Sequence, residues 1–136
     1  MSPDALGEAW RDGRLHGTLT VELNRRRLGR TRADVHMTFD FGGGPIAHAP
    51  LTRALSARTI IGSGAVSNRG PDSRPDRPIA AGGDSCIAEQ RTAEMNTAGA
   101  PFTPFLKRGD RVRIWTADSD ARPCFGAIDQ VVGGAA

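Results

Sequence analysis

Apolar and polar positions alternate over residues 17–22, where Leu19 and Val21 interleave with Thr18, Thr20 and Glu22, and Leu23 continues the apolar set. Period two predicts a half-buried strand, because successive side chains of an extended chain leave on opposite faces. Residues 24–27 read as a turn, and Leu28-Gly29 as the start of a return strand. The alternation recurs over 37–41 and at Val112 and Ile114, which interleave with Arg111 and Arg113. Residues 125–132 read as a last strand. Two shorter candidates are Thr59-Ile60-Ile61 and residues 85–91, with Cys86 and Ala88 on one face and Ile87 and Glu89 on the other.

Helical spacing is found twice. Ser2-Pro3 resembles an N-cap followed by proline in the first turn, and predicts a helix over 3–11 with Leu6 and Trp10 inward, ended by Asp12-Gly13. After the break at Gly42-Gly43-Gly44-Pro45, residues 46–55 fit a short helix with Ile46, Leu51 and Leu55 on one side. Residues 68–84 are polar and rich in Pro and Gly, which predicts a long surface loop. Residues 96–104 read as a loop, 107–110 and 118–123 as turns, and 133–136 as a fraying tail. The sum is six to eight short strands with one or two short helices, a β-rich mixed α+β chain.

Composition narrows this picture. With 136 residues the chain has room for one core and one domain. Seventeen Gly and nine Pro favour many turns over a helical bundle, and at 38% apolar residues without Tyr the core must rest on Val, Ile, Leu and Ala. The net charge of +3 is too small to argue for nucleic acid, and the seven aromatic residues are unclustered, which is poor for a base-stacking platform. The basic cluster Arg25, Arg26, Arg27, Arg30 and Arg32 at the hairpin tip reads as a solvated loop. Cys86 and Cys124 form no CxxC pair and read as two small buried thiols. The first fifteen residues carry Asp4, Glu8 and Asp12 and no apolar run. They read as neither a signal peptide nor a membrane span, and a cytoplasmic location is the expectation.

Few side chains suggest chemistry. Asp34, His36 and Asp40 come nearest to a metal-ligand spacing, since Asp34 and His36 would share a face of a strand. The competing reading is a solvated strand edge. Ser63 in G-S-G-A is no nucleophile elbow; Gly62 and Gly64 allow close backbone approach and exposed N–H groups that suit a carboxylate or oxyanion, and equally fit a plain strand-end turn. His16 and His48 have no evident partner in the sequence.

In order and spacing, the runs PDALGEAWRDGR (3–14), MTFDF (37–41), IAHA (46–49), TIIGSGAVSN (59–68), SCIAE (85–89), GDRVRI (109–114) and FGAIDQ (125–130) resemble the fumarylacetoacetate hydrolase family, in its bacterial fumarylacetoacetase-like branch. The resemblance implies the C-terminal portion of a β-roll of mixed sheets, usually dimeric. It implies metal-dependent hydrolysis of a C–C bond in a 1,3-dicarbonyl acid, as in aromatic amino-acid catabolism. A Mg²⁺ or Ca²⁺ ion would chelate the substrate oxygens, and a His–Glu pair would activate water. The substrate loop carries over to Gly64 and Ala65, the latter standing where the family has a threonine. The family's acidic E-x-E ligands lie upstream and have no counterpart here. No catalytic or metal-binding residue is therefore assigned to this chain. The expectation is a truncated hydrolase piece, inactive and without its ion when alone. It would act on a small oxo acid as a homo-oligomer or with a partner chain carrying the acidic half. The alternative is a non-enzymatic remnant or partner subunit of a full-length homologue. Two departures from the family predict local strain or looseness: Arg58 in place of a turn glycine, and Gly42-Gly43-Gly44-Pro45 in place of an apolar segment.

Overall fold

The computed structural model describes residues 3–68 and 83–133, so most of the expected 68–84 loop and the tail beyond Gly133 lie outside the described residues. The chain forms a small mixed α+β domain with two antiparallel sheets and two α-helices. A two-stranded ladder joins β1 (Trp10–Arg11) to β2 (Arg14–Leu15), and a four-stranded sheet has the order β4 (Arg26–Arg32), β3 (Thr18–Leu23), β5 (Arg111–Ala117), β6 (Ile128–Val131). Every described strand pairing is antiparallel. No helix of the described residues is long and apolar enough to cross a membrane.

The alternating segments at 17–23 and 111–114 became the two central strands of the sheet. Asn24 and Arg25 turn β3 into β4 with φ of 52° and 66°, the twist that a two-residue hairpin requires. Asn24 also ties the hairpin to β5: its amide donates to Asp110 Oδ1 at 2.8 Å and accepts the Arg111 N–H at 2.9 Å. Leu28 is the extra residue where the β3–β4 register shifts after Val21. Directly paired residues share a face. Leu19, Val21 and Leu23 therefore lie beside Thr116, Ile114 and Val112, and Ile128 beside Ile114. The other face carries Thr20 beside Trp115, with the Arg113 guanidinium 4.8 Å from the Trp115 ring centre.

Several expected elements changed. Residues 85–91 are not a strand: Ile87–Ala98 is the helix α2. Its Ala, Glu, Gln, Arg and Met residues are good helix formers, and Gly99 ends it at φ 74° with its N–H on the Met95 carbonyl. The expected 3–11 helix is a 3-10 segment, Pro3–Ala9, broken at Gly7, and Trp10 enters β1 and meets Phe41 with ring centres 5.8 Å apart. Residues 37–41 are irregular, and the 46–55 helix shrinks to a π-turn at Gly42–Ile46 and α1 (Ala47–Thr52), with Pro50 inside it. Thr59-Ile60-Ile61 forms no strand: no described residue pairs with it as a neighbouring strand, and Ile60 is 94% exposed.

Val21 is the one buried hydrophobic side chain among the described residues, while twelve large hydrophobic residues are exposed, Phe39, Leu51, Ile60, Phe102 and Phe105 most of all. Arg58 does adopt the left-handed conformation, with φ 69°. Replacing it with glycine is expected to raise unfolding stability by about 1 kcal/mol, the strain relieved less the backbone entropy that glycine loses. A denaturation midpoint unchanged in Arg58→Gly would contradict this.

Candidate functional site

The glycine loop at 62–67 is irregular and exposed at its tip, where Gly64 sits at φ 92° with open space around it. Its C-terminal end is clamped from two sides. Asn68 reaches the end of β4, accepting the Arg32 N–H and donating to the carbonyls of Arg32 and Val35 at 3.0 and 3.2 Å. Ser85, just before α2, holds Val66 through three bonds. Its hydroxyl donates to the Val66 carbonyl at 2.6 Å and accepts the Val66 N–H at 3.1 Å, and its own N–H meets the same carbonyl at 3.1 Å. The Ser67 hydroxyl then donates to the Glu89 carboxylate in the first turn of α2.

The segment entering α2 is fixed by close packing on the sheet. Gly29 lies opposite Val21, and a Cβ there would stand 2.1 Å from the Asp84 carbonyl oxygen. Glycine is needed because another backbone crosses at this point. Burial pushes the Asp84 carboxyl above its ordinary range, Ser67 offsets this in part, and the nearby Glu89 charge adds to the rise. Asp84, Ser67 and Glu89 thus form a short chain of proton-holding groups beneath the loop.

Residues 33–39 and 63–67 enclose a cavity of about 340 Å³. Its polar lining is His36, Thr38, Ser63 and Ser67, and its apolar lining includes Val35, Met37, Phe39 and Ala65. Such a mixture suits a small molecule with an apolar body and a few polar atoms. Ala65 is on the cavity wall; Gly64 shapes the loop and is not on that wall.

Other candidates fall elsewhere. Asp34 and His36 are in a turn, not a strand; His36 has φ 61°. Asp34 is engaged by Arg32 and His16, and Asp40 accepts the Gly43 N–H. His48 is exposed on α1. Both cysteines are free and half-buried, and burial with the Asp118 charge pushes the Cys124 thiol up. Arg25, Arg26, Arg27, Arg30 and Arg32 are exposed. Among the described residues, no three His, Cys, Asp or Glu side chains gather to hold a metal ion. Glu89 and Asp84 were missed in the sequence because the run around them reads as a strand and a loop; the three-residue offset from Ser85-Cys86 into a helix was the signal available.

No protein-family model matches the chain, and no curated protein matches it.

Proposed function

We propose that this chain is the C-terminal part of a fumarylacetoacetate hydrolase-family enzyme, completing an FAH-like β-roll and acting in the cytoplasm on a 1,3-dicarbonyl acid. The observation that carries this reading is the meeting of three separated stretches at one place. Residues 37–39 and 63–67 line a single cavity, and Glu89 stands behind Ser67. Each stretch belongs to a run on which the resemblance rests.

Glu89 is the carboxylate bonded to the loop: it accepts the Ser67 hydroxyl from behind the cavity wall and so positions Ser67, which lines the cavity. The substrate sits on the loop backbone beside Ala65. The ion's ligands and the His–Glu pair that would activate water belong to the acidic half, on a partner chain or a longer polypeptide. The exposed apolar residues offer that half a surface, and a homo-oligomer would use the same kind of surface. The free chain is then inactive. A non-enzymatic partner subunit is the second reading, favoured by the missing hydroxyl at Ala65.

In the assembled enzyme, Glu89→Gln is expected to lower kcat/KM for a 2,4-dioxo acid by about tenfold, because Ser67 loses the charged acceptor that fixes its hydroxyl on the cavity wall. Ala65→Thr is expected to raise kcat/KM by about tenfold, as one restored hydrogen bond worth ~1–3 kcal/mol would. Full activity in Glu89→Gln would mean that the setting of Ser67 does not matter to the substrate, and no assembled activity at all would favour the partner-subunit reading.

A further inference from the structure

The four-stranded sheet has two unlike faces. Gly29 lies on the Val21 face, where the Asp84 backbone crosses it, so the segment entering α2 rests on that side. On the opposite face the register sets side chains in rows. Arg30 of β4, Thr20 of β3 and Trp115 of β5 form one row. Arg27, Glu22, Arg113 and Asp129 form the next, across all four strands. Arg32 stands beside Thr18, and Arg111 beside Val131. Each β4 residue that pairs on this face is therefore an arginine, and all of these arginines are exposed. At the hairpin end Arg25 joins them, bordering a groove of about 250 Å³ with Glu22, Arg111, Arg113 and Asp129.

The carboxylates neutralise only part of this charge. Asp129 takes Arg111 Nε and Nη2 at 2.6 and 2.8 Å, and Asp34 takes Arg32 at 2.9 and 2.7 Å. The Arg113 charge also acts on Asp129, but its guanidinium lies over the Trp115 ring. Among the described residues no carboxylate is ion-paired with Arg25, Arg27, Arg30 or Arg113. Glu22 alone is left on the face to offset them. The net charge of the whole chain is a modest +3, yet antiparallel pairing gathers positive charge from residues 25–32 and 111–113 onto one surface. Thr18 and Thr20 put short side chains on the central strand, and Thr20 is buried as the floor. Neighbouring strands lie about 4.8 Å apart, so the β4 arginines and the Arg113–Trp115 pair flank a trough about 10 Å wide.

We propose that this sheet face binds single-stranded nucleic acid, with phosphates along Arg27 and Arg30 and a base on the Arg113–Trp115 pair. A narrow, extended polyanion matches the trough in shape and charge. Two features favour a nucleic-acid strand over an acidic peptide. The charges are arginines throughout, whose planar fork matches two oxygens of one phosphate. The Arg113–Trp115 pair offers an unpaired base a ring or a guanidinium plane to stack on. In a duplex the bases are stacked on one another, out of reach of Trp115. The face shares no lining residue with the loop cavity and does not depend on the proposed function.

The test is titration of the full chain with a short single-stranded oligonucleotide of mixed sequence. Its duplex, polyglutamate and phosphatidylserine vesicles are titrated in parallel. Trp10→Phe leaves Trp115 as the only indole, so fluorescence reports on this face. The single strand is expected to bind saturably, to quench Trp115, and to bind more weakly as salt rises. Arg30→Gln and Arg113→Gln should each weaken it about fivefold and flatten the log–log salt slope by about 0.7, one phosphate contact apiece. Trp115→Leu should weaken it about tenfold, with circular dichroism checking that each variant is folded. Arg53→Gln makes the same charge change at an exposed position outside the sheet, and should leave affinity within twofold. No saturable binding of the single strand would overturn the proposal. So would equal losses in Arg30→Gln and Arg53→Gln, or duplex, polyglutamate or vesicles bound as tightly as the single strand.

Discussion

Gly29→Ala is expected to cost about 3 kcal/mol or more of folding free energy, toward the upper end for overpacking a tight site. The added Cβ would stand 2.1 Å from the Asp84 carbonyl oxygen and 2.8 Å from its carbon, with the Ser85 nitrogen at 3.3 Å. These are backbone atoms, so no rotamer change can make room. Either the sheet or the segment entering α2 must move, and that segment carries Ser85 and leads to Glu89. The loop at 62–67 would lose the hydroxyl that grips Val66. Chemical denaturation should show the lost stability, and amide exchange should show Val66 and Ser85 losing protection before β3 and β5. A variant as stable as the parent would mean that the Asp84 segment does not rest on Gly29.

Glu94→Ala is expected to cost about 3 kcal/mol, because several donors lose one buried acceptor together. Glu94 is fully buried near the end of α2. Its Oε2 accepts the N–H groups of Phe102 and Thr103, each at 2.9 Å, and its Oε1 accepts the Thr103 hydroxyl and, at 3.4 Å, the Gln90 amide. Burial alone would raise the carboxyl, but the bonds from Thr103, Phe102 and Gln90 outweigh it and hold the group below its ordinary range. The sign of the pH dependence follows. A depressed folded value means that ionised Glu94 stabilises the fold fully above the unfolded glutamate range. That contribution fades as the pH falls through the folded value. The parent should therefore lose more stability than Glu94→Ala between neutral and acid pH. Parallel stability curves for the two proteins would contradict this account of Glu94.

The legible parts of the fold were local. β3 and β5 follow from alternation, and β4 was expected as the return strand from Leu28, two residues later than its start at Arg26, because the turn takes only Asn24 and Arg25. The left-handed turn at Arg58 was legible as a glycine position filled by another residue. The reading failed where one short run fits two periods. Over residues 85–91 the alternation of Cys86, Ile87, Ala88 and Glu89 suits a strand, yet helix formers continue to Ala98 and Gly99 stands ready as a stop. At Thr59-Ile60-Ile61 the β-branched residues favour extension, but a strand also needs a neighbour, which no local pattern supplies. The glycine loop was legible as an irregular, open turn from Gly62 and Gly64. Its seating on Ser85, Glu89 and Asn68 was not, because those bonds join residues 19 to 36 positions apart. The His16–Asp34 pair likewise spans 18 positions and became visible only when the sheet brought β2 close to the end of β4.

The central claim is that this chain completes a metal-dependent hydrolase by packing with an acidic half. Its most direct test is to purify the species containing this chain from its native host, and to measure its mass together with hydrolysis of a 2,4-dioxo acid. The account predicts a species well above 14.4 kDa whose activity is lost on chelation and returns with Mg²⁺ or Ca²⁺. A lone 14.4 kDa chain with no such activity would contradict it.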